Sequence, residues 1–245
     1  MNTQIPFIKH LLSFTDKILV ATGYRDKGTA TKTELIDLST ASNKKCELGD
    51  YPIEVYKATG GLVKQRPVIC GGYPATSDCY TLKQGTWQFL SSMSEKRKGA
   101  SSAVLNDRLW VAGGKDDGGN TLKSTEYIHP NGAVTTGPPL PEPLSGHCIV
   151  KLNSTTVLLT GSYTSSMRDT TLYFNAETSQ FDNGPRMLHG RFNHGCAVYN
   201  SPLHGNRPVA IVAGGSADSK AEVLDFTLDN PSWESSKQMN TNSSF

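Results

Sequence analysis

The feature that most constrains this chain is a short β-type run that ends in two small residues and recurs five times. We call each such ending a doublet, and the doublets are Thr22-Gly23, Gly71-Gly72, Gly113-Gly114, Gly161-Ser162 and Gly214-Gly215. Their first residues lie 49, 42, 48 and 53 positions apart. A period of about 40 to 50 residues indicates one supersecondary unit per repeat, each packed against its neighbours. Glycine in a doublet allows positive φ and close backbone approach where the chain leaves a sheet.

A second regularity follows each doublet. Two apolar or aromatic residues lie seven positions apart in three units, at Tyr80 and Trp87, Tyr127 and Val134, and Phe174 and Phe181. A further apolar residue lies six positions on, from Trp87 to Met93, Val134 to Leu140, Phe181 to Met187 and Trp233 to Met239. We predict four antiparallel strands per unit, with the aromatic residues filling the space between twisted sheets. The period and strand pattern are those of β-propeller blades.

These residues resemble the kelch motif, in which a hydrophobic run, Gly-Gly, a later Tyr and a Trp follow at fixed spacing. The strongest copies are Gly71-Gly72 with Tyr80 and Trp87, and Gly113-Gly114 with Tyr127. The resemblance covers essentially the whole chain and implies an all-β propeller of five four-stranded antiparallel blades in one domain, 1–245. The approximate blades are 5–52, 53–94, 95–141, 142–188 and 189–240. Five units form either a five-bladed ring or part of a six- or seven-bladed propeller, and both remain open here.

Composition excludes several classes of partner. The net charge is +2, and the densest basic runs, Lys44-Lys45 and Lys96-Arg97-Lys98, are short. We therefore expect no nucleic-acid partner. No apolar run approaches the length of a bilayer span, so we expect no membrane insertion. The first residues lack a secretory signal pattern, and we expect a cytoplasmic protein, or an extracellular one if a signal peptide lies outside this sequence.

Cysteine and histidine residues of the fourth and fifth repeats are candidate metal ligands. His147-Cys148 and His194-Gly195-Cys196 lie in equivalent inner strands, but their internal spacing differs and no CxxC or HxH pattern supports them. We therefore expect no metal and no cofactor. Cys70 and Cys79 lie on neighbouring strands, where either a disulfide or two packed thiols would fit.

The kelch family that the chain resembles also includes enzymes, such as galactose-oxidase-like copper proteins and sialic-acid epimerases. Their copper site needs a Cys-linked Tyr, a second Tyr and two His, and this constellation cannot be assembled from the sequence. We predict no catalytic residue and no enzyme activity. The alternatives are a metal-dependent or sugar-acting enzyme, and a secreted carbohydrate- or matrix-binding propeller, for which a glycan at the sequon Asn153 would be informative. A second sequon lies at Asn242.

Binding residues are predicted directly after the doublets. Tyr24, Tyr73 and Tyr163 follow three of the doublets, and Lys115 and Ser216 occupy the same position in the other two. They should begin the loops between second and third strands, on one face of the propeller. Exposed Tyr suits an interface, since it supplies large contact area at low entropic cost. We therefore predict a protein or peptide partner; the alternative is that each Tyr packs over neighbouring strand ends.

Two arginines complete the predicted set. Arg97 and Arg191 lie where many kelch repeats carry an Arg, shortly before the inner strand. The resemblance to substrate-adaptor kelch domains implies contact with an acidic peptide. The alternative is hydrogen bonding to loop carbonyls within the blade. Adaptor kelch proteins carry a BTB domain ahead of the propeller, whereas repeat-like sequence starts here within the first twenty residues, so ligase recruitment is not expected.

Overall fold

The computed structural model of the chain describes residues 11–14, 17–25, 28–29, 31–37, 48–164, 166, 168–215 and 220–236. These residues form antiparallel β-sheets joined by turns and one short 3-10 turn, Pro202–His204. In this part of the chain no helix has the length and apolar character needed to cross a bilayer.

Sheet 1 is formed near the start of the chain. It contains β1 (Leu11–Phe14), β2 (Lys17–Ala21) and β5 (Thr33–Asp37), in that order. A two-stranded hairpin of β3 (Tyr24–Arg25) and β4 (Gly28–Thr29) lies between β2 and β5 in sequence. Segment 38–47, where the outer strand of the first repeat is expected, is outside the described residues.

Sheets 2 to 5 each contain four strands that follow one another in chain order. Sheet 2 contains β6 (Thr59–Val63), β7 (Arg66–Cys70), β8 (Thr76–Lys83) and β9 (Thr86–Arg97). Sheet 3 contains β10 (Ser101–Leu105), β11 (Arg108–Ala112), β12 (Thr125–Ile128) and β13 (Val134–Thr136). Sheet 4 contains β14 (Cys148–Lys151), β15 (Thr156–Thr160), β16 (Thr171–Asn175) and β17 (Gln180–Asn183). Sheet 5 contains β18 (Gly195–Ser201), β19 (Arg207–Ala213), β20 (Ala221–Leu224) and β21 (Trp233–Ser235).

The first strands of the five sheets, β1, β6, β10, β14 and β18, lie side by side in chain order. Second strands such as β7 and β11 are buried almost throughout, because each is covered on both faces. All five sheets are antiparallel, and they are arranged as the blades of a β-propeller.

The hydrophobic core is divided into four clusters, one between each pair of consecutive sheets. Representative pairs across these clusters are Leu19 with Ile69, Val68 with Leu109, Trp110 with Phe174, and Leu158 with Val212. Trp110 stacks on Phe174 with ring centroids 4.4 Å apart. This division explains why the repeat aromatic residues recur, since a twisted sheet cannot bury its own faces.

The tryptophans of two outer strands also donate hydrogen bonds to residues of the preceding repeat. Trp87 Nε1 donates to Thr33 Oγ1 of sheet 1 at 2.9 Å. Trp233 Nε1 donates to the carbonyl oxygen of Pro185, which follows the last strand of sheet 4, at 3.1 Å. A buried indole N–H needs such a partner, so the Trp position contributes both apolar area and a directed bond.

The doublets form the same backbone bond at all four junctions between described sheets. The amide of the second doublet residue donates to a carbonyl that precedes the next inner strand, in the bonds Gly23 to Val55, Gly72 to Arg97, Gly114 to Leu144 and Ser162 to Arg191. A Cβ on Gly71 would lie 2.5 Å from the carbonyl oxygen of Arg97. The first doublet glycine is therefore required by the close approach of the next sheet, as well as by its φ of 67°.

A second row of backbone bonds runs from sheet to sheet beside the inner strands. The amide of Gly99 donates to Lys57 O, that of Gly146 to Gly99 O, and that of Asn193 to Gly146 O, at 3.0, 2.8 and 2.6 Å. All four residues have a φ between 54° and 64°. These equivalent positions carry Lys, Gly, Gly and Asn, and all share one left-handed backbone conformation because the bonds between sheets require it.

Candidate binding face

In sheets 2 to 4, two equivalent positions of the repeat meet at one end of the propeller. These are the residue after the doublet and the residue three positions before the inner strand. Their backbones pair in Tyr56 with Tyr73, in Lys98 with Lys115, and in Tyr163 with Ser145. We call the surface formed by Tyr56, Lys57, Tyr73, Lys98, Lys115, Tyr163, Arg168 and Phe192 the doublet face.

A first group of aromatic rings and cations lies on sheets 2 and 3. The rings of Tyr73 and Tyr56 are 5.0 Å apart between centroids. Lys98 Nζ of the next repeat lies 4.9 Å from the Tyr73 centroid, and Lys57 Nζ lies 5.7 Å from that of Tyr56. Tyr73 is 43% exposed. Its ring is therefore held by two neighbours and still presents a large surface to solvent.

A second group of the same kind lies on sheets 3 to 5. Lys115 Nζ lies 3.9 Å from the Tyr163 centroid. The Tyr163 ring meets Phe192 edge-on at 4.8 Å, and Arg168 lies over Phe192 at 5.4 Å. Tyr163 is 50% exposed. In both groups an exposed Tyr lies between a cation and an aromatic ring, each within the range of cation–π and edge-to-face contacts.

Acidic residues occur at one edge of the doublet face, in the loop that follows Lys115. Asp116 accepts hydrogen bonds from the backbone and side-chain nitrogens of Asn120, and these bonds lower the pKa of its carboxyl group. Asp117 pairs with Lys96 at 3.3 Å. Asp116 is thus engaged within the loop and Asp117 with a lysine of β9, whereas Lys98 and Lys115 lie against the exposed tyrosine rings.

The binding residues predicted after the doublets divide into two sets. Tyr73, Lys115 and Tyr163 lie on the doublet face with described side chains. The backbone of Tyr24 lies in β3, but its side chain is outside the described residues, as is the whole of Ser216. Sequence reasoning missed Tyr56 and Phe192, although an aromatic residue three positions before two inner strands was a readable signal.

Arg97 requires a correction, because its side chain is fully buried and cannot contact a partner. Nη1 donates to the carbonyl oxygens of Gly113 and Ser124, at 2.8 and 3.1 Å. Nη2 pairs with Glu126 at 2.7 Å. A buried guanidinium needs such hydrogen bonds and an anionic partner, because burying an unpaired charge destabilises the folded state.

Arg191 is corrected for the same reason and with the same geometry. Nη1 donates to Gly214 O and Lys220 O, both at 3.0 Å, and Nη2 pairs with the buried Glu222. The glutamates also accept backbone amides at equivalent positions, Ser94 for Glu126 and Leu188 for Glu222. The two arginines therefore bind loop carbonyls within their own repeats, which was the alternative interpretation of the sequence.

The cysteine and histidine candidates are used in packing. Cys148 and Cys196 form a disulfide, so neither sulfur is available as a thiolate ligand. Thr160 Oγ1 lies 2.8 Å from His194 Nε2. His147 is buried, and desolvation lowers its pKa to about 4, which keeps the imidazole neutral at pH 7. Among the residues the structure describes, no group of three or more His, Cys, Asp or Glu side chains could hold a metal ion.

Comparison with known proteins supports this architecture. A family model of the Kelch motif matches residues 96–140. The solved structure of YjhT superimposes with a TM-score of 0.79 at 13% sequence identity, over 97% of this chain and 86% of that chain. At this identity the likeness concerns the fold. None of the curated proteins compared with this chain matches it. The motif match covers one of the five repeats, and together with the superposition it shows that the chain folds as a kelch-type β-propeller.

Proposed function

We propose that this chain is a non-enzymatic interaction module whose doublet face binds a peptide or protein partner. The observation that carries the proposal is the recurrence of one arrangement, an exposed Tyr between a cation and an aromatic ring, at Tyr73 and at Tyr163. Tyr73 and Tyr163 are 43% and 50% exposed, and in contrast to the similarly exposed Phe89 each contacts a cation of the doublet face.

The physical properties of the face suit a protein partner. Tyr offers large contact area with few rotatable bonds, and here its neighbours restrict it further, which reduces the entropy lost on binding. The doublet loops are held by backbone bonds between sheets, so the rings project from a rigid support. The cations Lys98, Lys115 and Arg168 favour a partner segment with carboxylate groups next to an apolar side chain.

The test is a comparison of captured proteins between variants in extracts of the source organism. We expect wild-type protein to retain a partner that Y73A/Y163A loses, while far-ultraviolet circular dichroism and thermal unfolding stay close to wild type. Phe89→Ala is the matched control, because Phe89 is a 59% exposed aromatic on an outer strand, away from the doublet face.

Two outcomes would overturn the proposal. Capture that survives in Y73A/Y163A, or is lost equally in F89A, would show that the doublet face is not the binding surface. Stoichiometric copper or iron in the purified protein would contradict the non-enzymatic part of the proposal.

A further inference from the structure

The described cysteines are all paired, in two disulfides at defined positions of the repeat. Cys70 and Cys79 are register partners on β7 and β8, and both are fully buried. Cys148 and Cys196 join the first strands of sheets 4 and 5. Disulfides of this kind form and persist in oxidising compartments and are rare in the cytosol.

The Cys148–Cys196 disulfide lies at a position that the repeat itself defines. In sheets 2 and 3, Thr59 Oγ1 and Ser102 Oγ form a hydrogen bond of 2.7 Å between the equivalent strands. Thr59 and Cys148 are the first residues of their strands, and Ser102 and Cys196 are the second residues of theirs. Side chains at these two positions meet in both places, so the cysteines are brought together by the fold, with Cα atoms 6.0 Å apart.

Asn153 lies five residues beyond Cys148, in the turn between β14 and β15. It begins the sequon Asn153-Ser154-Thr155 and is exposed. Its Oδ1 accepts hydrogen bonds from the amides of Thr155 and Thr156 and from Thr155 Oγ1. Among the described residues none accepts a hydrogen bond from Nδ2, the atom to which an N-linked glycan is attached.

The turn lies at the opposite end of β15 from the doublet face. β15 runs from Thr156 to Thr160, directly before the doublet Gly161-Ser162. Ala176, in the turn between β16 and β17, donates its amide to Thr155 O and marks the same end of the sheet. A glycan attached to Asn153 would therefore project away from Tyr163 and leave the doublet face exposed.

We propose that Asn153 is an N-glycan acceptor in a chain that folds in an oxidising secretory compartment. The sequon by itself is a weak motif; the disulfides supply the independent observation that the chain meets such a compartment. Each thiol pair gives two protons and two electrons to a disulfide-bearing oxidant. Asn153 Nδ2 loses a proton and bonds to the anomeric carbon of a lipid-linked oligosaccharide, and the lipid pyrophosphate leaves.

The test expresses the 245-residue chain behind a cleavable secretion signal in cultured eukaryotic cells, and recovers it from the medium and from secretory organelles. Peptide mapping without reductant should find Cys70 bonded to Cys79 and Cys148 to Cys196. A peptide amidase that removes N-glycans should lower the mass of the chain and convert Asn153 to Asp.

Matched variants assign the modification to this sequon. N153Q and Thr155→Ala should lose the glycan at this position, whereas Thr155→Ser should keep it. Asn131→Gln changes an asparagine in a turn of sheet 3 that begins no sequon, and it should leave the glycan unchanged. An unmodified Asn153 in disulfide-bonded protein would overturn the acceptor site, and free thiols at Cys148 and Cys196 would overturn the oxidising compartment. Neither result bears on Tyr73 and Tyr163.

Discussion

Two junctions of the propeller have the same frame and differ in the side chains that close it. Junction 2/3 joins sheets 2 and 3, and junction 4/5 joins sheets 4 and 5. Both have the doublet bond and a buried Arg–Glu pair. At junction 2/3 the inner strands meet through the Thr59–Ser102 hydrogen bond, and at junction 4/5 through the Cys148–Cys196 disulfide. The backbone sets the distance between sheets, and chemically different side chains can then fill the same position.

The residues before these inner strands differ in the same way. Junction 2/3 has Ala58 and Ala100, where junction 4/5 has His147 and His194. The inner strands of junction 4/5 are therefore joined by a disulfide and preceded by histidines, whereas those of junction 2/3 have neither. Substitutions at the two junctions can therefore separate the effects of the buried ion pair, the disulfide, the buried imidazole and the exposed ion pair.

Removal of one member of a buried Arg–Glu pair should have the largest effect. Glu126→Ala leaves the buried Arg97 guanidinium with only the part-exposed carboxylate of Glu95, 3.3 Å from Nη2, and leaves the Ser94 amide without an acceptor. We expect a loss of about 3–5 kcal/mol in the free energy of unfolding, measured by urea denaturation. Glu222→Ala at junction 4/5 should cost a similar amount.

The control copies sheet 4, which has Leu144 and Leu172 at the positions of Arg97 and Glu126, both buried in the core. R97L/E126L should recover most of the stability that E126A loses, because an apolar pair needs no charge compensation. A double variant as unstable as E126A would show that the guanidinium bonds to loop carbonyls, rather than the unpaired charge, dominate.

Removal of the disulfide should rank second. C148A/C196A should lose roughly 2–4 kcal/mol of unfolding free energy, since the disulfide closes a long loop in the unfolded chain. C148T/C196S would rebuild the hydrogen bond of junction 2/3 and should regain about 1 kcal/mol. Urea denaturation without reductant measures both. Equal stability of the two variants would show that the junctions do not share this geometry.

Stability at junction 4/5 should fall in mild acid through His147. Burial lowers its folded-state pKa to about 4, so the unfolded chain binds the proton more readily and stability falls as the pH drops from about 6.5 toward 4. The two pKa values correspond to a loss of about 2 kcal/mol at pH 5. His147→Ala, which copies Ala58, should reduce the difference in unfolding free energy between pH 8 and pH 5 by that amount. An unchanged difference would assign the acid sensitivity to other groups.

The smallest effect is expected at the exposed ion pair of junction 2/3. Lys64 Nζ and Asp107 Oδ2 are 4.0 Å apart, and both side chains are more than half exposed. Asp107→Asn should change the unfolding free energy by less than about 0.5 kcal/mol, because water and salt screen such a pair. A loss above about 1 kcal/mol would show that this contact between turns stabilises the junction.

The repeat and its strands could be predicted from the sequence because they depend on local spacing. Gly113, Tyr127 and Leu140 mark a strand end, a buried strand and a core position wherever the repeat recurs. The burial of Arg97 was harder to predict, since its partner Glu126 is 29 residues away and meets it only when sheet 3 packs. The sequence did contain a sign of this pairing. The two repeats that carry an Arg before the inner strand, Arg97 and Arg191, also carry a Glu at the same position of the third strand, Glu126 and Glu222.

The Cys148–Cys196 disulfide was missed for a related reason. Its members are 48 residues apart and differ by one position in the repeat. Side chains on adjacent inner strands meet with this offset, and nothing in a single repeat shows it. The doublet face was predicted only in part, because Lys98 and Phe192 belong to the repeat that follows the Tyr they contact.

The doublet bond has a consequence for how such chains change over time. Its donor and its acceptor are both main-chain atoms, so most side-chain substitutions leave it in place. The exceptions are proline at the second doublet position, which deletes the donor, and a residue with a Cβ at the first, which would press against the acceptor carbonyl. Sequence drift can therefore replace most surface side chains while successive sheets keep their spacing. Because the spacing between sheets depends little on side-chain identity, a chain with 13% identity to YjhT can have the same fold. The side chains directly after the doublets in sheets 2 to 4 can likewise change without loss of this bond.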